Sequence, residues 1–145
     1  MVIGIIGENC TGKSTLAEAV QATIGGRIVT GKDYLRLAKS ESMATMLFRK
    51  KLKESLNGEN LIYVISEREH IALLPDGTVK ILVTAELDVI KARFRERMRG
   101  NLPAPVAAML EKKHGMFEEG DYHFRFDGTK DDISEICGKI REMIG

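Results

Sequence analysis

Apolar residues in this chain fall into short unbroken runs, separated by stretches in which they recur every three or four positions. Val2, Ile3, Ile5 and Ile6 make the first run, residues 61–65 the second and residues 79–83 the third. A run that is apolar at every position, not at alternate ones, fits a strand covered on both faces, as in a parallel sheet. Between the runs, Leu16, Ala19, Val20 and Thr23 keep helical spacing, and Gly25 with Gly26 ends that helix. Residues 27–30 form a short second strand. Residues 34–56 read as helical, with Ser40 as break and N-cap, closed by Asn57 and Gly58. The turn Pro75-Asp76-Gly77 leads into the strand at 79–83, and residues 86–99 are strongly helical. Pro103 and Pro105 mark residues 100–106 as a mobile connection into a helix over 106–114. Residues 122–126 predict a fifth strand, Asp127 and Gly128 a turn, and residues 133–144 a closing helix. Five strands alternating with helices predict an α/β/α three-layer fold around a five-stranded parallel sheet. No internal repeat or low-complexity segment is visible.

Composition narrows this further. The 145 residues, 43% hydrophobic, suit one domain spanning 1–145. Twenty-two basic against 21 acidic residues leave a net charge of +1, so no global field attracts nucleic acid or an anionic membrane. No apolar run approaches a membrane span and no basic leader precedes the first strand, so a cytoplasmic protein is expected. Cys10 and Cys137 are too few for a disulfide framework and are expected to be reduced thiols, with Cys10 open to oxidation or alkylation.

The candidate chemistry begins where the first strand ends. Gly7, Glu8, Asn9, Cys10, Thr11, Gly12, Lys13 and Ser14 spell an uninterrupted G-x-x-x-x-G-K-[ST] between a strand and a helix. The glycines permit a tight turn whose N–H groups converge on phosphate oxygens, and the helix directs its positive end at the same anion. The expected ligand is ATP or another nucleoside triphosphate, with Lys13 reaching the β- and γ-phosphates and Ser14 ligating Mg²⁺; Thr15 completes the binding segment. A GTPase would carry N-K-x-D and D-x-x-G strings, and neither occurs. A motor ATPase would end a strand in an acidic pair, whereas residues 61–65 lead into Ser66 and Glu67. Arg93 and Arg97 share one helix face, and Arg95 and Arg99 form a second pair. Such cations either neutralise a transferring phosphoryl group or make an ordinary solvated face.

Three further stretches resemble the nucleoside monophosphate kinases and their small-molecule kinase relatives, with cytidylate kinases the nearest likeness. Residues 30–39 look like the G-x-x-[FL]-R-x-x-A segment that opens the acceptor region. Residues 68–85 look like G-R-D followed by P-x-A-x-x-K-I-[FW]-L-T-A. Residues 122–136 are similar to the last strand and helix of that family. The resemblance implies a P-loop nucleotide-kinase-like fold with an acceptor-binding region at 31–59 and a lid-like region at 98–120. It implies that Arg36 and Arg68 clamp an anionic group of the acceptor, for which a bidentate guanidinium is suited. Asp33 would accept or orient the acceptor hydroxyl's proton, or else serve as a helix N-cap. Arg93 would lie over the adenine or touch phosphate, Arg97 would stabilise the transferring group, and Asp127 with Gly128 would hold the base through the backbone.

The chain also departs from that pattern. Ser66 stands where an acidic residue is usual and Glu67 where glycine is usual, leaving Ser14 as the metal ligand and Glu67 to complete its surroundings. The lid offers Lys112 and Lys113 in place of further arginines, and the acceptor region is short. The three histidines show no metal-ligand spacing and read as surface or packing residues. Met43, Met46, Leu47 and Phe48 read by default as core, with an acceptor wall or dimer face as alternatives. The expected activity is transfer of the ATP γ-phosphoryl group to a small metabolite or nucleoside monophosphate by a monomer or homodimer. A nucleotide-binding regulator on a kinase fold, or an NTP hydrolase, is the alternative.

Overall fold

Every residue of β1 (Val2–Ile6) is buried, as the unbroken apolar run requires. In the computed structural model, which describes residues 1–144, β1 pairs in parallel with β3 (Leu61–Ile65) on one edge and β4 (Val79–Thr84) on the other. β2 (Arg27–Thr30) extends the sheet beyond β3 and β5 (Phe124–Asp127) extends it beyond β4, all parallel, in the order β2-β3-β1-β4-β5. Ile6 lies opposite Ile65 and Leu82, so the carboxyl ends of the three central strands open onto one edge of the sheet.

Alternation within β1 divides the core. Ile3 and Ile5 face α1 (Lys13–Ile24) and α6 (Ile133–Ile144), packing with Leu16, Val20, Ile136 and Ile140. Val2 and Ile6 face α2 (Glu41–Ser55), where Phe48 and Leu52 are fully buried. Phe48 stacks on Tyr34 at 5.2 Å between centroids and meets Tyr63 edge-on at 5.0 Å. A third cluster joins Ile90 of α4 (Leu87–Arg97), Leu110 of α5 (Ala104–Lys113), Ala85 and Cys10. That cluster fixes the loop after β1 against helices far away in sequence. Both cysteines are buried free thiols. Among the described residues no helix is long and apolar enough to cross a membrane.

The elements differ from the sequence pattern at a few places. The stretch 34–56 divides into a 3-10 turn (Asp33–Leu37) and α2, with Ser40 as the N-cap accepting from the Met43 N–H at 3.2 Å. The N-cap of the 3-10 turn is Lys32, so the capping alternative for Asp33 does not hold. Phe48 is core as expected, but Met43, Met46 and Leu47 are exposed because α2 turns them away from the sheet. Strand β5 begins two residues later than its aromatic run suggested. His123 is occupied in bridging Lys80, its N–H donating to the Lys80 carbonyl and its Nδ1 accepting from the Lys80 N–H. A single helical turn not anticipated from sequence, α3 (Arg68–Ile71), follows β3. Helix α4 stops at Arg97, and α5 starts at Ala104 with Pro103 as N-cap, where a missing N–H costs nothing.

Candidate active site

The loop 7–14 leaves β1 in a conformation that few residues tolerate. A Cβ on Gly7 would lie 2.5 Å from the Val83 carbonyl oxygen, and Gly12 sits at φ 104° as the N-cap of α1. Cys10 is also in the left-handed region, at φ 64°. The first hydrogen bond of α1 runs from the Leu16 N–H to the Gly12 carbonyl at 3.1 Å. The N–H groups of Lys13, Ser14 and Thr15 precede that bond and form the positive end of the helix. Lys13 is only 7% exposed, and its Nζ donates to the Glu8 carbonyl at 2.6 Å. Burial lowers its pKa from 10.5 to about 8, with Arg97 lowering it further and Cys10 and Glu8 opposing. A buried ammonium of this kind gains most from an anionic partner.

A cleft of about 420 Å³ opens at the carboxyl edge of the sheet. It brings Lys13 and Ser14 of the loop together with Asp33 of the 3-10 turn that follows β2, Ser66 after β3, and Arg97 of α4. These residues come from four separate parts of the sequence. The Asp33 carboxylate is fixed by the Thr30 N–H and hydroxyl, at 3.1 and 2.9 Å. The Gly31 carbonyl beside it accepts from the buried Tyr63 hydroxyl at 2.7 Å. Burial pushes the Tyr63 phenol far up, so it remains a donor.

A second hollow of about 290 Å³ adjoins the first, sharing Cys10, Gly12, Thr15 and Arg97 and adding Arg93 and Gly128. Arg93 spans its floor, donating to the Cys10 carbonyl at 3.0 Å and to the Gly128 carbonyl at 3.4 Å. Gly128 packs so tightly that a Cβ there would lie 2.0 Å from the Thr11 carbonyl oxygen. Asp127 caps the turn, its Oδ1 accepting from the Thr129 N–H at 2.8 Å.

The other expected residues lie elsewhere. Arg36 is exposed on the 3-10 turn and does not line the cleft. Arg68 donates to the Met116 carbonyl, tying α3 to the segment after α5. Glu67 does not line the cleft either; it sits beside Glu69 and His70. Arg95 of α4 and Arg99 beyond its end line neither hollow, whereas Arg97, also exposed, lines both.

Sequence reasoning overlooked Glu8. Its carboxylate accepts from the Gly115 N–H at 3.1 Å and lies 3.1 Å from His114 Nδ1, so the end of α5 is fastened to the phosphate loop. Lys91 and Glu111 pair across α4 and α5, and the Tyr122 hydroxyl donates to the Phe117 carbonyl at 2.6 Å. Only the Glu8 contacts reach the loop; the other two hold α5 to α4 and Tyr122 to Phe117. Lys32 and Thr30, which line the cleft, were also passed over, because only the fold brings the end of β2 to the loop.

No family model and no curated protein matches the chain. Solved structures do. A putative kinase from Chloroflexus aurantiacus J-10-fl shares 18% identity with a TM-score of 0.64 over 97% of each chain. A gluconokinase from Sinorhizobium meliloti 1021 shares 14% identity, TM-score 0.61, over 99% of this chain and 94% of its own. A shikimate kinase from Bacteroides thetaiotaomicron shares 16% identity, TM-score 0.61, over 99% and 98%. The chain therefore has the α/β fold of the P-loop small-molecule kinases, with the five-stranded parallel sheet its sequence predicts.

Proposed function

We propose that this protein is an ATP-dependent phosphotransferase acting on a small hydroxylated metabolite. The observation that carries the reading is the single cleft in which Lys13, Ser14, Asp33 and Arg97 converge. The triphosphate lies along the loop, its charge met by the N-terminus of α1 and by Lys13, while Arg97 meets the charge that develops on the group in transfer. The nucleoside occupies the adjoining hollow, which Arg93 and Gly128 help to line. An acceptor hydroxyl near Asp33 attacks the γ-phosphorus while the bond to the β–γ bridging oxygen breaks and ADP leaves; Asp33 takes the hydroxyl proton. Catalysis here is mainly alignment and charge stabilisation, which suits cations held on a rigid helix. The exposed Ser14 hydroxyl in the cleft is a hard oxygen donor that fits Mg²⁺. When bound, that ion neutralises charge on the β- and γ-phosphates.

A nucleoside monophosphate acceptor, as in cytidylate kinases, is the finer alternative. The small hydroxy acid or sugar is favoured because Arg36 and Arg68 stand outside the cleft, leaving no arginine pair to clamp an acceptor phosphate. The fold neighbours named as a gluconokinase and a shikimate kinase support the same preference. The docking of Glu8 onto Gly115 favours a second reading, a nucleotide-binding regulator whose loop reports to α5.

ADP formation should be followed with Mg²⁺-ATP and a panel of hydroxy acids, sugars, nucleosides and nucleoside monophosphates, with a control lacking acceptor. Acceptor-dependent turnover is expected. Asp33→Asn and Arg97→Ala should each lower kcat by about 10²-fold or more while ATP affinity stays within about threefold. ATP binding without turnover on any acceptor would favour the regulator, and equal turnover without acceptor a hydrolase.

A further inference from the structure

The turn after β3 holds a group of side chains that the phosphotransfer reading does not use. His70 is 3% exposed, and neither of its ring nitrogens has a hydrogen-bond partner among the described residues. Burying an imidazole without satisfying its polar atoms is destabilising, so such a placement calls for a physical reason. The ring is held by Tyr34, edge-on at 6.0 Å, and by Tyr63 at 6.2 Å. These contacts set its orientation but offer the nitrogens nothing.

Its Nε2 instead points toward two carboxylates, 4.0 Å from Glu67 Oε2 and 3.9 Å from Glu69 Oε1. One donor atom from each of the three residues falls within 4.8 Å of the other two. The grouping follows from the turn itself: the His70 N–H donates to the Glu67 carbonyl at 3.2 Å, which places residues three apart on one side. Two carboxylates brought this close repel unless a proton or cation lies between them. No lysine or arginine among the described residues pairs with either carboxylate within 4.0 Å.

We propose that Glu67, Glu69 and His70 form a binding site for a divalent transition-metal ion, with zinc the best match, at the carboxyl end of β3. A tetrahedral ion with bonds of about 2.0–2.2 Å sets its donors roughly 3.4 Å apart, so a rotation of the two exposed carboxylates suffices to close the site. One neutral imidazole and two carboxylates form a mixed nitrogen and oxygen set. That set suits Zn²⁺ and, less tightly, Mn²⁺, while Mg²⁺ favours oxygen alone. Three protein donors leave a fourth position to solvent, because Glu67 and Glu69 are 51% and 68% exposed. The site is separate from the one at Ser14, and neither depends on the other. Binding would tie α3 to the end of β3, next to Ser66 of the cleft.

The test is a Zn²⁺ titration of the full chain in competition with a chromophoric chelator, with Co²⁺ absorption reporting the ligand set. The proposal expects one Zn²⁺ per chain, retained in excess Mg²⁺ and in Ser14→Ala. Glu69→Gln, an exposed change that leaves folding intact, should weaken Zn²⁺ at least about tenfold, and Glu67→Gln likewise. His70→Asn should alter the Co²⁺ spectrum. Absence of Zn²⁺ binding by the wild-type chain, or binding by Glu67→Gln and Glu69→Gln as tight as the wild type's, would overturn it. Because no ATP is present, the result is independent of the fate of the phosphotransfer reading.

Discussion

Lys13 carries the largest electrostatic consequence of any single residue in the cleft. Its folded pKa of about 8 lies below the value of 10.5 it has when exposed. Between those values the unfolded chain holds a proton that the native chain has released, so Lys13 makes stability rise with pH across that window. A bound polyphosphate supplies the opposite charge and restores the proton. Binding of ATP should therefore take up close to one proton at about pH 9 and almost none at about pH 6, where Lys13 is already charged. Calorimetry in buffers of differing ionisation enthalpy measures this directly. Equal proton uptake at both values would show that Lys13 does not meet the phosphates. Lys13 and Ser14 were legible in the sequence because the motif is local, eight consecutive residues between a strand and a helix. The work of Arg93 was not, since it depends on two carbonyls brought together from Cys10 and Gly128. Glu8 was hidden for the same reason, its partner lying 107 positions further along the chain.

At the scale of elements, the strands were the clearest feature, because a parallel sheet buried on both faces leaves unbroken apolar runs such as residues 61–65. Helix ends were less clear. The end of α4 is a Schellman motif, in which the Gly100 N–H donates to the Arg95 carbonyl at 2.8 Å and the Arg99 N–H to the Glu96 carbonyl at 3.1 Å. The left-handed position falls on Arg99, at φ 58°, where glycine is the usual occupant. The Gly100 in the sequence hints at such an ending but marks it one residue late. Arg99 is exposed and makes no contact with the cleft, so Arg99→Gly should relieve the strain and raise stability by about 0.5–1 kcal/mol. Urea unfolding monitored by circular dichroism checks this, and a lower midpoint would count against the account of this helix end. The predicted mobile connection at 100–106 belongs to a region whose far end is anchored by Glu8, Lys91 and Arg68. Polar contacts of that kind leave no periodic trace in a sequence.

For the whole molecule, the topology explains why one cleft can serve both halves of a transfer reaction. The central strand delivers the phosphate loop, β2 and β3 deliver Asp33 and Ser66 on one side, and β4 with β5 deliver Gly128 and the helix bearing Arg93 and Arg97 on the other. Donor and acceptor would thus meet at the carboxyl edge of the sheet, where open α/β sheets place their ligands. Glu8 ties the end of α5 to the phosphate loop at that edge. The central claim is that the γ-phosphoryl group passes to an acceptor hydroxyl. The most direct measurement follows ATP labelled in its γ-phosphate, with Mg²⁺ and the acceptor panel, and asks where the label goes. The account predicts label on an acceptor hydroxyl, with little inorganic phosphate and with loss of transfer in Asp33→Asn. Label found only in inorganic phosphate, or retained in ATP with every acceptor, would contradict it.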